Sequence, residues 1–104
     1  MRVEVLHVAD CPHTAALTGR VATLIAGHSD VTIVHRVIRD EAEAVARGMT
    51  GSPTLLLDGA DPFAVAGQPP SLSCRLYTDE VGVVSGAPSL TQLRAVLGDA
   101  TEAR

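Results

Sequence analysis

The chain contains two cysteines, Cys11 and Cys74, and they are its clearest candidates for chemistry. Cys11 is followed by Pro12 and His13, and proline is favoured at the first position of a helix. A thiol at a helix N-terminus faces unpaired N–H groups and the positive end of the helix dipole, which favour the thiolate. A protonated His13 adds to this effect, whereas Asp10 opposes it. We therefore predict that Cys11 is an accessible nucleophile with a lowered pKa, which iodoacetamide labels faster than Cys74.

Cys74 has two interpretations. It is either a buried packing residue or a resolving thiol that forms a reversible disulfide with Cys11, and Arg75 beside it either stabilises a thiolate or pairs with a surface acid. The cysteine spacing matches no local zinc pattern, so we predict no metal site and no cofactor. Two thiols with His13 nearby nevertheless leave open the binding of a soft metal such as Hg(II) or Cu(I).

Composition excludes several classes of function. A chain of 104 residues forms one domain. Its net charge of −4 and scattered arginines argue against binding to nucleic acid, which requires concentrated positive charge. It has no lysine, which excludes Schiff-base chemistry. No apolar run is long enough to cross a membrane, and the first ten residues lack the zones of a secretory signal, so we expect a cytoplasmic protein.

The elements around Cys11 are predicted from periodicity and capping signals. Alternating and β-branched runs indicate strands, apolar residues at helical spacing indicate helices, and Asp40 and Ser89 are capping residues. In chain order the prediction is a strand over 2–8, a helix from Cys11-Pro12 to Gly27, a parallel strand over 30–38, a short helix from 40 to 48, a strand over 54–57, a strand over 81–85 and a helix from 89 to 98.

This order predicts an α/β fold, a four-stranded mixed sheet flanked by about three helices. We expect a domain over 1–98 and a flexible tail over 99–104. The segment 60–73 has no periodicity, and because long connections in compact domains are often functional it is a lid candidate. A right-handed β-α-β crossover places Cys11 at the carboxyl end of the first strand, where open α/β sheets usually carry their sites.

Two motifs carry a resemblance to the thioredoxin-like superfamily that covers nearly all of the chain. Cys11-Pro12-His13-Thr14 resembles the C-P-H-C motif of DsbA-type thiol oxidoreductases, with Thr14 in place of the second cysteine. Gly51-Ser52-Pro53-Thr54 resembles the cis-proline segment of the family. The chain is also similar to small actinobacterial thioredoxin-like proteins that are sometimes labelled alkylmercury lyase. The resemblance implies a thioredoxin fold, a cis Ser52–Pro53 bond, and a substrate groove shaped by Pro12, Ser52 and Pro53.

Thr14 departs from the family because it cannot attack a mixed disulfide. The first hypothesis is therefore a thiol–disulfide oxidoreductase or redox sensor in which Cys11 is the nucleophile, His13 tunes it, Thr14 hydrogen-bonds the sulfur and Cys74 or an external thiol resolves the intermediate. Its partners would be a protein or a low-molecular-weight thiol or disulfide. The alternative is a non-catalytic thioredoxin-like module that binds a protein or a soft metal such as Hg(II).

Overall fold

A computed structural model describes residues 1–102, with side chains described up to Gly98. Within these residues the protein is a mixed α/β structure with three helices and seven short strands. Their order is β1 (Arg2–His7), α1 (Thr14–Ile25), β2 (Thr32–Val37), α2 (Glu41–Arg47), β3 (Thr50–Ser52), β4 (Thr54–Leu57), β5 (Ser71–Cys74), β6 (Tyr77–Thr78), β7 (Val84–Ser85) and α3 (Leu90–Glu102).

The main sheet has three strands in the order β2-β1-β4. β1 runs parallel to β2, as predicted, and antiparallel to β4. The parallel pair is joined through α1, and this connection brings the chain out of the carboxyl end of β1 a few residues before Cys11. The predicted position of Cys11 at this end of the sheet is therefore confirmed.

The expected fourth strand of this sheet is not found among the described residues. The Asp79 carboxylate accepts hydrogen bonds from the backbone of Val81 at 3.0 Å and of Val83 at 2.8 Å, which bends the chain into a turn. Only β7 remains extended, and it pairs with β6 in a separate two-stranded sheet. The predicted strand over 81–85 and the count of four strands in one sheet are thus wrong.

A second small sheet joins two segments that carried no strand signal. β3 and β5 pair in parallel, with an irregular register between Thr50 and Ser52. The last residues of the aperiodic segment 60–73 therefore belong to a strand, β5. β3 lies where the sequence predicted only the end of the second helix.

Helices cover both faces of the main sheet. One buried cluster joins β1 and β4 to α1 and α3; its fully or nearly fully buried members include Val3, Val5, Leu17, Val21, Leu55, Leu93 and Leu97. A second cluster joins the opposite face to α2; its members are Leu6, Ile38, Ala44, Met49 and Leu56. Full burial of one such side chain contributes about 1.5–3 kcal/mol, so these two clusters fix the sheet between its helices.

The helix ends follow the capping signals in two cases and differ in one. Asp40 caps α2 by accepting the Glu43 N–H at 2.9 Å, and Ser89 and Gln92 form the predicted capping box of α3. α1 begins at Thr14 rather than at Cys11-Pro12, because residues 11–13 form a turn in which the Thr14 N–H points back to the Cys11 carbonyl at 3.4 Å.

The carboxyl end of the chain continues as helix beyond the expected boundary. α3 runs through Gly98 to Glu102, so the first residues of the expected tail, 99–102, have helical backbone. Ala103 and Arg104 lie outside the described residues. Of the helices described, none combines the length and apolar character needed to cross a membrane.

Candidate functional site

The Cys11 thiol lies between the end of β1 and the start of α1 and is half-buried. Burial raises the pKa of this thiol, but hydrogen bonds from the Ser52 and Thr14 side chains and from the backbone N–H groups of His13 and Thr14 outweigh it. The net pKa lies below the ordinary value of a cysteine, in the predicted direction. The result is a thiol that ionises readily and remains in contact with solvent.

Ser52 is the side chain that holds the sulfur most directly. Its Oγ accepts a hydrogen bond from the backbone N–H of Val8 at 3.0 Å, which leaves the hydroxyl hydrogen available for the Cys11 sulfur. Ser52 is buried at 1 % exposure, so its rotation is restricted. The side chain therefore acts as a fixed donor to the thiolate, a role more specific than the substrate contact suggested by the motif.

Thr14 occupies the first residue of α1, where its hydroxyl and backbone N–H both face the sulfur. The hydroxyl is buried, and in the described part of the chain it has no hydrogen-bond partner other than the Cys11 sulfur that it faces. A neutral thiol is a weak acceptor, whereas a thiolate would satisfy this donor. The predicted contact of Thr14 with Cys11 thus stabilises the ionised form.

Pro12 and His13 complete the motif in different ways. Pro12 is exposed, and His13 is half-buried and precedes the first residue of α1. The His13 backbone N–H is a donor to the sulfur, but its imidazole is not among the groups that shift the Cys11 pKa. The ring packs against the backbone of Gly86, where any Cβ would overlap it. The structure therefore assigns to this imidazole a packing contact with the segment before α3.

The Gly51-Ser52-Pro53-Thr54 segment lies beside Cys11, and the Ser52–Pro53 peptide bond is cis, as expected. Three successive carbonyl groups of this segment accept internal hydrogen bonds. The Gly51 carbonyl accepts from the Thr54 hydroxyl at 2.6 Å, that of Ser52 from the Arg75 N–H at 3.0 Å, and that of Pro53 from the Tyr77 hydroxyl. These hydrogen bonds fix the segment in its position beside the thiol.

Arg75 holds the Gly51-Ser52-Pro53-Thr54 segment in place, and the sequence predicted its role only in part. Its guanidinium is 4 % exposed, pairs with Asp61 at 2.7 Å, and donates to the Thr54 hydroxyl at 3.2 Å and the Phe63 carbonyl at 2.7 Å. Of the two roles considered for it, pairing with an acidic residue is observed, but the pair is largely buried and not at the surface as predicted. Arginine is rarely buried, so no signal in the sequence indicates that this pair is internal.

Tyr77 and Gly51 support the same arrangement. The Tyr77 ring lies 4.7 Å from the Arg75 guanidinium carbon, and burial raises the pKa of its hydroxyl far above the ordinary value, so the group stays protonated as a donor. Gly51 has φ of +129°, and a Cβ there would lie 2.7 Å from the Arg75 Cβ. Only glycine permits both this conformation and this approach. The sequence did not predict this supporting role for Tyr77 or for Gly51, apart from the position of Gly51 within the motif.

Cys74 is an exposed free thiol, so the prediction of a buried packing residue is wrong. It is the partner of Ser52 in the β3–β5 ladder, and adjacent strands lie about 4.8 Å apart. The register of this ladder is irregular between Thr50 and Ser52, and Ser52 is buried whereas Cys74 is exposed. The ladder therefore places the backbone of Cys74 beside that of Ser52, the residue whose hydroxyl faces Cys11.

An open cleft of about 530 Å³ is lined in part by Arg75. Residues 63–68 form one wall, residues 75–78 the other, and Gln92 of α3 closes one end. Segment 60–73 is anchored to this region by Asp61 and by the Gln68 amide, which donates to the Thr50 carbonyl at 3.2 Å. The lid candidate is therefore bound to the body of the protein at several points along its length.

Among the described side chains, those of residues 1–98, no three from His, Cys, Asp or Glu converge on a position that could hold a metal ion. Comparison with known proteins gives no match to a family model, a curated protein or a solved structure. The functional assignment accordingly depends on the geometry of the Cys11 site.

Proposed function

We propose that this chain is a thiol–disulfide redox protein, an oxidoreductase or redox sensor, in which Cys11 is the nucleophile. The observation that supports this most strongly is the set of donors around the Cys11 sulfur: two hydroxyl groups and two backbone N–H groups, which together outweigh the effect of burial. Such a set does little for a neutral packing thiol, whereas it lowers the free energy of a thiolate.

The reaction begins with the Cys11 thiolate attacking one sulfur of a disulfide RS–SR. A bond forms between Cys11 and that sulfur, the S–S bond of the substrate breaks, and RS⁻ leaves with the electron pair and takes up a proton. The donors that stabilise the Cys11 thiolate also stabilise it as the leaving group of the reverse step. The chain therefore exchanges disulfides in either direction, as the surrounding redox potential dictates.

The second step requires another thiol, because Thr14 stands where the family has its resolving cysteine. Cys74 is one candidate: its thiolate would attack the Cys11 sulfur, form a Cys11–Cys74 disulfide and release the second RS⁻. Its exposure and its place opposite Ser52 support this route. An external thiol attacking the mixed disulfide is the other route, and it would regenerate Cys11 directly.

We further propose that the fold is a divergent thioredoxin-like domain in a reducing, cytoplasmic setting. The β-α-β unit, the antiparallel β4, the helices on both faces of the sheet and the position of the Gly51–Thr54 segment beside Cys11 support it. The three-stranded main sheet and the separate β3–β5 pair are departures from the expected four-stranded sheet.

The test is disulfide exchange by the wild-type chain and by the Cys11→Ser and Cys74→Ser variants. We expect Cys11→Ser to abolish exchange with a standard disulfide. Mass spectrometry of the oxidised protein after proteolysis then separates the routes: a Cys11–Cys74 peptide supports the two-thiol cycle, and Cys11 capped by an external thiol supports the monothiol cycle. Equal reactivity of Cys11 and of a free cysteine would contradict the proposed function.

The alternative of a non-catalytic binding module is favoured by one observation, the open cleft beside Arg75. In that case Cys11 would not be needed, and partners would contact the walls formed by residues 63–68 and 75–78. A partner protein that binds the Cys11→Ser variant as tightly as the wild type would support this alternative, whereas binding of a soft metal such as Hg(II) would be weakened by loss of the Cys11 thiol.

A further inference from the structure

The backbone edge beside Cys11 is already occupied by the chain itself. Of the two strands that meet at Ser52, β5 supplies the N–H groups: Ser71 donates to the Met49 carbonyl at 3.1 Å and Arg75 to the Ser52 carbonyl at 3.0 Å. β3 is a short strand whose only partner in the described chain is β5. An extended polypeptide therefore finds this edge of Ser52, the residue that touches the thiol, already taken by β5.

The neighbouring carbonyl groups each accept a hydrogen bond from within the chain. Those of Gly51 and Pro53 accept from the hydroxyls of Thr54 and Tyr77. A peptide that added itself as a strand would need main-chain acceptors and donors at this edge, and it would first have to displace β5.

β5 is held in place by buried contacts. Leu72 packs against the core cluster of Leu6 and Met49, and the Arg75 side chain next to the strand is tied to Asp61. Because Arg75 is buried and paired with Asp61, separation of β5 from β3 would expose this ion pair and part of the core to water. The strand is thus a stable part of the site.

We infer that the disulfide partner of Cys11 is a low-molecular-weight disulfide and not an extended polypeptide. This inference rests on the proposed function and specifies its substrate class. A small disulfide needs only access to the half-exposed sulfur: the Cys11 thiolate attacks it, a Cys11–S–S–R bond forms, and the small thiolate RS⁻ leaves. No hydrogen bond to the β3 edge is required.

The experiment compares two disulfides with the same leaving group in the Cys74→Ser background. One is bis(2-hydroxyethyl) disulfide; the other is an unstructured peptide whose central cysteine carries 2-mercaptoethanol as a mixed disulfide. We expect the peptide to release 2-mercaptoethanol no faster than the small disulfide does, with little dependence on its flanking residues. Acceleration of about tenfold or more that changes with the flanking sequence would show strand-type binding and overturn the inference.

Two further measurements distinguish failure of this inference from failure of the proposed function. If both disulfides react no faster with the protein than with a short peptide of residues 8–16, the proposed function itself fails. The Ser71→Pro variant removes the N–H that binds the Met49 carbonyl without touching Cys11. With folding checked by circular dichroism, it is expected to raise the peptide rate and leave the small-disulfide rate unchanged; an unchanged ratio would contradict the role of β5 as the barrier.

Discussion

Replacing Ser52 by alanine tests the central claim about the thiol. Ser52 Oγ accepts from the Val8 N–H at 3.0 Å and directs its hydrogen to the Cys11 sulfur. The variant removes both interactions while the remaining donors, from Thr14 and His13, stay in place. We expect two separable effects: a weaker preference for the thiolate, and a less stable fold.

The magnitude follows from the contacts. A hydrogen bond to a charged group is worth about 1.5–3 kcal/mol, and because sulfur is a weaker acceptor and Cys11 is partly in contact with water we expect about 1 kcal/mol. That is about a fivefold drop in the ratio of thiolate to thiol at fixed pH. Leaving the Val8 N–H without its acceptor costs about 1–3 kcal/mol of unfolding free energy in addition.

The dependence on pH has a definite sign. Because the native pKa of Cys11 is lowered, the thiolate contributes stability that is fully present above the pKa of about 8.5 of the unfolded thiol. This contribution decreases as the pH falls through the native pKa and vanishes below it. The stability difference between wild type and Ser52→Ala should therefore be larger at alkaline than at acidic pH.

The assay is the rate of iodoacetamide labelling as a function of pH, together with urea unfolding, in the Cys74→Ser background. The matched control is Ser71→Ala, which also removes a hydroxyl that accepts a backbone N–H, that of Ser73 at 3.0 Å, but is not a donor to Cys11. Ser52→Ala should move the labelling midpoint upward, and Ser71→Ala should not. An unmoved midpoint in Ser52→Ala would refute the assignment of Ser52 as the donor.

Three further variants probe the groups around this contact. Thr14→Val removes a buried hydroxyl that faces the sulfur, so the labelling midpoint of Cys11 should rise in the same assay with little loss of stability. Arg75→Met leaves the Asp61 carboxylate, paired at 2.7 Å in the wild type, without its partner; urea unfolding should show a loss of about 3 kcal/mol. Gly51→Ala places a Cβ 2.7 Å from that of Arg75 at φ of +129°, and we expect a loss of about 2 kcal/mol or more.

Each of these variants has a control on the same chain. Thr23→Val removes a helix hydroxyl that donates only to the Gly19 carbonyl, and it should leave the labelling midpoint in place. The double variant Arg75→Met with Asp61→Asn should recover part of the lost stability, because the buried charge is gone. Gly19→Ala, with open space around its Cβ, should stabilise α1 by about 0.5–1 kcal/mol. A double variant no more stable than Arg75→Met alone would contradict the ion-pair argument.

The parts of the structure near Cys11 followed from local signals. The alternation of β1, the β-branched run of β2 and the capping residues Asp40 and Ser89 all act through neighbouring residues, and each predicted its element. The position of Cys11 at the end of β1 then follows from the handedness of the crossover. The start of α1 was placed too early because Pro12 suits a turn as well as a first helical turn.

The predictions that failed concern features that depend on contacts between residues distant in the sequence. β3 and β5 are three and four residues long, too short for a periodic signal, and their register is set by tertiary contacts such as that of Leu72 with the core. The burial of Arg75 is likewise decided by Asp61, fourteen residues away. The strand predicted over 81–85 does not form at full length because the Asp79 side chain holds the chain in a turn. The valines of this segment favour a strand, so the sequence pattern did not indicate the turn.

The division of the strands into three separate sheets affects how the protein opens. Two-stranded ribbons are marginal in isolation, and the β3–β5 and β6–β7 pairs are connected to their surroundings by the side-chain hydrogen bonds of Arg75 and Tyr77. In native-state hydrogen exchange, the amides of both ribbons should therefore share one opening free energy, lower than that of the main sheet. Opening of this unit would uncover the Ser52 carbonyl, so the equilibrium population of the opened form sets an upper limit on how fast a bulky partner can reach the thiol.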